Sequence, residues 1–82
     1  MYKVSTNEVA QYWKCGEPAA NSGANFWTDG VKLYSYRLCI GDTSTQGEKI
    51  LKDYSANGRH GFQSMTTSKH VGYAKQYATI ID

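Results

Sequence analysis

Residues 26–34 read Phe-Trp-Thr-Asp-Gly-Val-Lys-Leu-Tyr. In this stretch an Asp-Gly pair separates two short runs that are rich in aromatic and branched residues. Asp-Gly is a preferred centre of the type I′ turn that joins two antiparallel strands. A two-residue loop at this pair fixes which residues face each other across the hairpin: Thr28 and Val31, Trp27 and Lys32, Phe26 and Leu33. The stretch therefore predicts an antiparallel hairpin with Phe26 and Leu33 on the core side.

The chain beyond this hairpin carries apolar residues on both faces of the expected sheet. Tyr36, Leu38 and Ile40 continue the face that holds Trp27 and Tyr34. A bulge near Ser35, a sheet covered on both sides, or a binding surface on one face would each account for this pattern. The sequence leaves these three alternatives open.

A second hairpin is predicted further along the chain. Asn57-Gly58 is another strong turn signal, and it separates a candidate strand over residues 48–55 from a return over residues 59–65. Residues 41–47 lie between the two hairpins and are expected to form a polar loop, because Gly, Asp, Ser and Thr dominate them.

A helix is expected before the first hairpin and another after the second. Ser5 and Glu8 fit the S-x-x-E capping box, and the apolar stripe that follows ends at Gly16, which predicts a helix over residues 5–15. A second helix is predicted from about residue 68 to 79, with Thr66 or Thr67 as its N-cap. Its apolar stripe contains Val71, Ala74, Ala78 and Ile81.

These elements predict an α+β fold in a single domain of residues 1–82. We expect a twisted antiparallel sheet of three or four strands, built from the two hairpins and flanked by an N-terminal and a C-terminal helix. Both helices would cover one face of the sheet, because Ala74 and Ala78 allow close helix-on-sheet packing. The other face would then be exposed and aromatic.

Length and charge exclude several classes of protein. A chain of 82 residues has no room for a Rossmann domain or a TIM barrel, and no apolar run approaches the roughly 18 residues that span a bilayer. The N-terminus lacks the apolar region of a secretory signal, so a cytoplasmic location is expected. A net charge of +2 is too small for a DNA-wrapping protein.

No catalytic or metal-binding pattern stands out. No C-x₂-C or H-x₃-H pair occurs among the cysteines and histidines, which are Cys15, Cys39, His60 and His70, so a zinc site is not expected. The two thiols are expected to be reduced. No nucleophile-elbow, H-E-x-x-H or P-loop motif is present. Residues 66–70 could hold an anion at the helix start, although a plain helix cap is the simpler account. We therefore expect no enzyme, no metal and no cofactor.

Aromatic residues are abundant relative to aliphatic core formers. The chain has seven Tyr, two Trp and two Phe, which are more aromatic rings than a small core can bury. Several of these rings are therefore expected on a recognition surface. Candidate partner-binding residues are Trp27, Tyr34, Tyr36, Arg37, Arg59, Lys69 and Tyr73. Such a surface fits a protein partner, because Tyr, Trp and Arg dominate binding hot spots. Single-stranded nucleic acid is the first alternative, and a homodimer that buries the second apolar face is the other.

Two motifs resemble those of a small domain found in phage and mobile-element proteins. That domain has an LYSY strand, matched by residues 33–36, and a TTSKH helix start, matched by residues 66–70. The resemblance covers roughly residues 8–78 and carries over no catalytic residues. It implies a small phage-encoded accessory protein that acts in the host cytoplasm. We therefore expect an inhibitor that binds a host protein, such as a CRISPR effector or another defence component, and blocks it sterically.

Overall fold

The structure, a computed structural model, describes residues 2–82. Seven strands form one sheet in which spatial order follows chain order. The inner pairs are antiparallel, whereas the first and last pairs are parallel. The strands are β1 (Tyr2–Lys3), β2 (Ala19–Ala20), β3 (Phe26–Thr28), β4 (Leu33–Ser35), β5 (Leu38–Thr43), β6 (Lys49–Leu51) and β7 (Ile80–Ile81). The helices are a 3₁₀ turn (Thr6–Glu8), α1 (Val9–Cys15) and α2 (Met65–Lys75).

The expected sheet of three or four antiparallel strands flanked by two terminal helices is wrong. The sheet is mixed and seven-stranded, α1 lies between β1 and β2 in the chain, and α2 is followed by β7. Both edge strands, Tyr2–Lys3 and Ile80–Ile81, are only two residues long. A strand this short cannot show the alternation of apolar and polar residues from which strands are recognised.

The first hairpin forms, but its register differs from the prediction. Thr28 pairs with Leu33 rather than with Val31, so the loop covers residues 29–32. Asp29 opens the loop, because its carboxylate accepts hydrogen bonds from the backbone N–H groups of Val31 and Lys32 at 2.9 and 2.8 Å. The register shifts by two residues, and the side-chain period of a strand is two, so the side chains of β3 and β4 keep their predicted faces, whereas Val31 and Lys32 lie in the loop.

The second predicted hairpin is wrong. Residues 52–64 contain no strand, although Asn57-Gly58 does lie in a turn, in which the Gly58 N–H donates to the carbonyl of Ser55. The neighbour of β6 is instead β7, which runs parallel to it. Asp53 holds the start of this loop, since its carboxylate accepts from the hydroxyl of Ser55 at 2.6 Å. The polar loop expected over 41–47 is shorter, because β5 continues to Thr43.

A tight turn at Tyr36-Arg37 joins β4 to β5, which pair from Ser35 and Leu38 outward. The sequence predicts that the strand continues through Tyr36 and Leu38, with a bulge near Ser35, a sheet covered on both sides or a binding surface on one face as the alternatives. The turn was missed because its first residue has the positive φ of +56° that turn rules assign to glycine. Tyr36 therefore adopts a backbone conformation that is rare for residues with a Cβ atom.

The helix ends follow local chemistry. Ser5 and Glu8 form the predicted capping box, with the Ser5 N–H donating to the Glu8 carboxylate at 3.0 Å, and Gly16 ends α1 at φ +75°. The N-cap of α2 is Ser64 rather than Thr66 or Thr67, because the Ser64 hydroxyl accepts from the Thr67 N–H. Residue 65 thus begins α2, three residues earlier than predicted.

Both helices pack on one face of the sheet and form a single core with it. The buried residues are Val9, Ala10, Trp13, Phe26, Leu33, Ile40, Leu51, Val71 and Ala74. Gly41 makes this packing possible, because a Cβ atom there would lie 2.8 Å from the Trp13 indole. No helix packs on the opposite face, where Trp27 and Tyr34 are half-buried.

Candidate functional site

A chain of hydrogen-bonded side chains crosses the core between β4 and α2. The Ser64 hydroxyl donates to the Thr67 hydroxyl at 3.1 Å, Thr67 contacts the Ser35 hydroxyl at 3.0 Å, and Ser35 contacts Nδ1 of His70 at 2.7 Å. Ser35, Thr67 and His70 are all buried. The network links the two motifs of the sequence, since Ser35 belongs to LYSY whereas Thr67 and His70 belong to TTSKH.

The direction of these hydrogen bonds sets the proton position on His70. Because Thr67 accepts from Ser64, its own proton is available to Ser35, and in this direction the Ser35 proton goes to Nδ1 of His70. Nδ1 is therefore an acceptor, and in a neutral ring the proton lies on Nε2. Burial lowers the pKa of His70 from 6.5 to about 4, so the ring is neutral at pH 7.

The His70 ring packs against two aromatic rings. It stacks on Phe26 with ring centroids 4.2 Å apart and planes inclined by 3°. Tyr36 approaches at 6.3 Å with a tilt of 44°. Only 2% of His70 is exposed, so its orientation is fixed by stacking and by the hydrogen bond to Ser35.

His70 forms part of the wall of a surface cleft of about 250 Å³. Its Nε2 atom has no hydrogen-bond partner among residues 2–82. In that part of the chain, every side-chain nitrogen or oxygen atom that is buried from solvent has a hydrogen-bond partner. Nε2 must therefore reach the surface, and the cleft is the surface depression that His70 lines. The lining residues are Thr6, Asn21, Asn25, Thr66, Lys69, His70 and Tyr73.

The wall opposite α2 is stiffened by two asparagines. The side-chain amide of Asn21 donates to Thr6 at 3.1 Å and to the Asn25 side-chain oxygen, while its own oxygen accepts from the backbone N–H groups of Asn25 and Phe26. Every polar atom of Asn21 is thus used within the protein. The Asn25 side-chain NH₂, by contrast, has no partner among residues 2–82 and remains a donor for a ligand.

The cleft has a positive electrostatic character. Lys69 is the one charged residue among its lining residues, and no carboxylate is present there. The chain has no Asp or Glu between Asp53 and Asp82, the stretch that contains all of α2. Donor groups and a cation therefore face a space without a competing negative charge.

Three of the predicted binding residues lie at this end of the molecule. Lys69 and Tyr73 line the cleft, and Tyr36 contacts the His70 ring beside it. Tyr36 is 49% exposed, while its backbone N–H donates to the Asn25 carbonyl at 2.8 Å. The structure thus brings these three residues together.

Trp27 and Tyr34 form a separate aromatic pair on the face that no helix covers. Their rings stack at 4.1 Å with an angle of 11°. The Trp27 indole N–H donates to the Tyr36 carbonyl at 2.9 Å, which connects this pair to the Tyr36 turn. Arg37 follows in the same turn and is exposed.

Arg59 does not join the other predicted binding residues. It lies in the loop after β6 and forms an ion pair with Asp82 at 3.5 Å, and its neighbour His60 contacts the same carboxylate at 3.2 Å. Cys15 and Cys39 form no disulfide. Within residues 2–82 no three His, Cys, Asp or Glu side chains come together as metal ligands would.

The sequence prediction missed the buried network and the asparagine wall. It treated His70 as a packing residue at the rim of the apolar stripe, and it assigned no role to Asn21 or Asn25. One signal was available: Thr67, His70, Val71 and Ala74 follow i, i+3, i+4 and i+7, the spacing of one helix face. Two polar residues on an inward face require polar partners across the core.

Comparison of the chain with protein-family models, with curated proteins and with solved structures yields no match. Among residues 2–82, no helix has the length and apolar character needed to cross a membrane.

Proposed function

We propose that this chain is a small phage-encoded binding protein that acts in the host cytoplasm by attaching to a host protein and blocking it sterically. A CRISPR effector or another defence component is the kind of target that its resemblance to phage proteins implies. The proposal assigns no catalytic step to the chain. The observation that carries it is the conformation and exposure of Tyr36.

Tyr36 occupies a turn position at which glycine would cost less free energy. Its φ of +56° costs a residue with a Cβ atom roughly 1–2 kcal/mol. The ring is 49% exposed, so burial of the ring offsets only part of this cost. An exposed aromatic ring held on a strained and hydrogen-bonded turn is pre-organised, which lowers the entropy lost on binding.

The surroundings of Tyr36 suit a protein partner. Arg37 adjoins it in the turn, Lys69 and Tyr73 lie at the nearby cleft, and the Trp27 ring is tied to the Tyr36 carbonyl. Tyr, Trp and Arg are the residues that most often dominate protein–protein interfaces. Cations at the rim favour a partner surface that carries carboxylates.

Single-stranded nucleic acid is supported less well. Proteins that bind single strands stack successive bases on separate aromatic faces. Trp27 and Tyr34 instead stack on each other at 4.1 Å, so each ring has only one face left for a base. The net charge of +2 also provides few phosphate contacts.

The proposal can be tested by affinity capture from host lysate with three forms of the chain. Wild type is compared with Tyr36→Gly, which removes the ring and relieves the strained turn, and with Phe62→Ala, which removes another half-exposed ring at 50% exposure. A protein captured stoichiometrically by wild type and Phe62→Ala, but lost with Tyr36→Gly, is expected. The proposal would be overturned if Tyr36→Gly captured the same protein as wild type, or if wild type captured no protein stoichiometrically.

Two further measurements separate the alternatives. Titration with an oligothymidine at low and moderate salt gives a steep salt dependence only if the chain binds single strands. Sedimentation of the isolated chain shows a dimer if the open face of the sheet is a subunit interface. Either result would replace the protein-partner proposal.

A further inference from the structure

We infer that the cleft at His70 is an oxyanion site, which takes a carboxylate or phosphate group between the Nε2–H of His70 and the ammonium of Lys69. The inference concerns the cleft itself, and it stands whether or not the chain inhibits a host protein.

The first support is the fixed polarity of His70. The ring is 2% exposed, and the series of hydroxyls from Ser64 through Thr67 to Ser35 makes Nδ1 an acceptor. Nε2–H is left as a donor without a partner among residues 2–82. A donor at the wall of a cleft that has no partner within the protein is free to donate to a ligand that supplies an acceptor.

The second support is the composition of the cleft. Lys69 contributes a positive charge, the Asn25 amide contributes an unused N–H donor, and the lining residues include no carboxylate. Thr66, Lys69, His70 and Tyr73 follow the i, i+3, i+4, i+7 pattern, so one face of α2 carries this whole wall. Hydrogen bonds from a charged donor to an oxyanion are about twice as strong as neutral ones.

The same features disfavour a metal ion. A metal needs the lone pair of an imidazole nitrogen, and in the inferred tautomer the Nδ1 lone pair accepts from Ser35 while Nε2 carries the proton. The ammonium of Lys69 would also repel a cation. A volume of about 250 Å³ leaves room for a phosphate or carboxylate group together with the chemical group that bears it.

The test is an NMR titration of the ¹⁵N-labelled wild-type chain at pH 7 and constant ionic strength. One arm adds sodium phosphate, a second adds sodium glutarate as a carboxylate, and a third adds sodium chloride. We expect the long-range imidazole spectrum to show the Nε2–H tautomer. We also expect the His70 resonances to shift saturably with phosphate or glutarate and not with chloride.

Matched lysine variants make the result specific. Lys69→Gln should weaken the anion affinity by about tenfold, because it removes a charged hydrogen bond. Lys14→Gln removes the same charge from the exposed face of α1 and should leave the affinity unchanged. If phosphate binds more tightly than glutarate, the cleft is a phosphate site; if glutarate binds more tightly, it is a site for an acidic side chain. Either result supports the inference. An Nδ1–H tautomer, the absence of saturable shifts, or equal effects of the two lysine variants would overturn it.

Discussion

Acidification should destabilise this protein through a single side chain. Protonation of His70 adds a proton to Nδ1, which now accepts from Ser35, and it places a charge in a site that is 98% buried against Phe26. The titratable and charged groups around the ring are Lys69, Tyr36 and Tyr73, none of which offers a negative charge at neutral pH. The protonated ring therefore has no compensating partner.

The size of the effect follows from the two pKa values. Burial lowers the pKa of His70 from 6.5 to about 4, so the unfolded chain binds the extra proton throughout the interval between these values. The contribution of His70 to the free energy of unfolding is fully present above pH 6.5 and declines as the pH falls toward 4. The full difference corresponds to about 3 kcal/mol of unfolding free energy, of which about 2 kcal/mol is lost by pH 5. This is a large share of the 5–15 kcal/mol typical of a folded domain.

Urea unfolding followed by tryptophan fluorescence between pH 7 and pH 5 measures this loss. The wild-type free energy should fall by about 2 kcal/mol, and His70→Gln should show a nearly flat profile. His60→Gln removes the other histidine, which contacts Asp82 and takes no part in the network, and should keep the decline.

The two carboxylates with lowered pKa values, Asp29 and Asp53, act outside this window. Hydrogen bonds from backbone N–H groups lower the pKa of Asp29, and hydrogen bonds from Ser55 lower that of Asp53, both from 3.8. Their contributions to stability are therefore lost only as the pH falls below about 4. If His70→Gln is too unstable to measure, NMR titration of the wild-type ring gives the same answer. A His70 pKa near 6.5, or a wild-type profile flat down to pH 5, would refute the assignment of a buried neutral ring.

Further substitutions test the packing around the site by chemical denaturation. Gly72→Ala in α2 should raise the free energy of unfolding by about 0.5–1 kcal/mol, because a Cβ there meets nothing within 4 Å. Gly41→Ala should lower the free energy of unfolding by about 1–3 kcal/mol, since the added Cβ would collide with Trp13. Equal effects of the two glycine substitutions would contradict this packing. Burial lowers the pKa of Lys49 from 10.5, so stability should rise with pH below 10.5, and Lys49→Met should remove this rise. Tyr36→Gly should be about 1 kcal/mol more stable than Tyr36→Ala, because both lack the ring but only alanine keeps the strain; a less stable glycine variant would rule out a strained turn.

Local chemistry was the predictable part of this fold. The capping box at Ser5 and the helix end at Gly16 depend on neighbouring residues alone, and both appear as predicted. The first hairpin kept its faces although its register was wrong, because a shift of two residues preserves the alternation of side chains. Phe26 and Leu33 therefore reached the core as expected.

The topology could not be obtained in this way. The neighbour of β6 was expected in residues 59–65, which carry apolar residues and follow a strong turn signal. It is instead Ile80–Ile81, which follows the turn at residues 76–77 after α2, and no hairpin signal in the sequence marks this pairing. The Tyr36 turn was hidden for the opposite reason, since its residue contradicts the local preference for glycine.

The candidate site was half predictable. Tyr36, Lys69 and Tyr73 were chosen for their chemistry, and the structure brings them to one end of the molecule. The contact between Ser35 and His70 joins residues 35 positions apart and depends on which strand lies beneath α2. Without the correct strand order, no spacing in the sequence reveals that the two motifs meet.

Two departures from local preference coincide at this end of the protein. His70 is a polar side chain that the interior could replace with an apolar one, and Tyr36 is a bulky residue in a glycine conformation; their rings are 6.3 Å apart. A buried polar network contributes little net stability compared with a well-packed apolar core, and backbone strain contributes none. Selection for stability alone would remove both features from a chain of 82 residues, whose core is small. Their position beside the cleft that His70 lines is what the proposed binding by the cleft and by Tyr36 would explain.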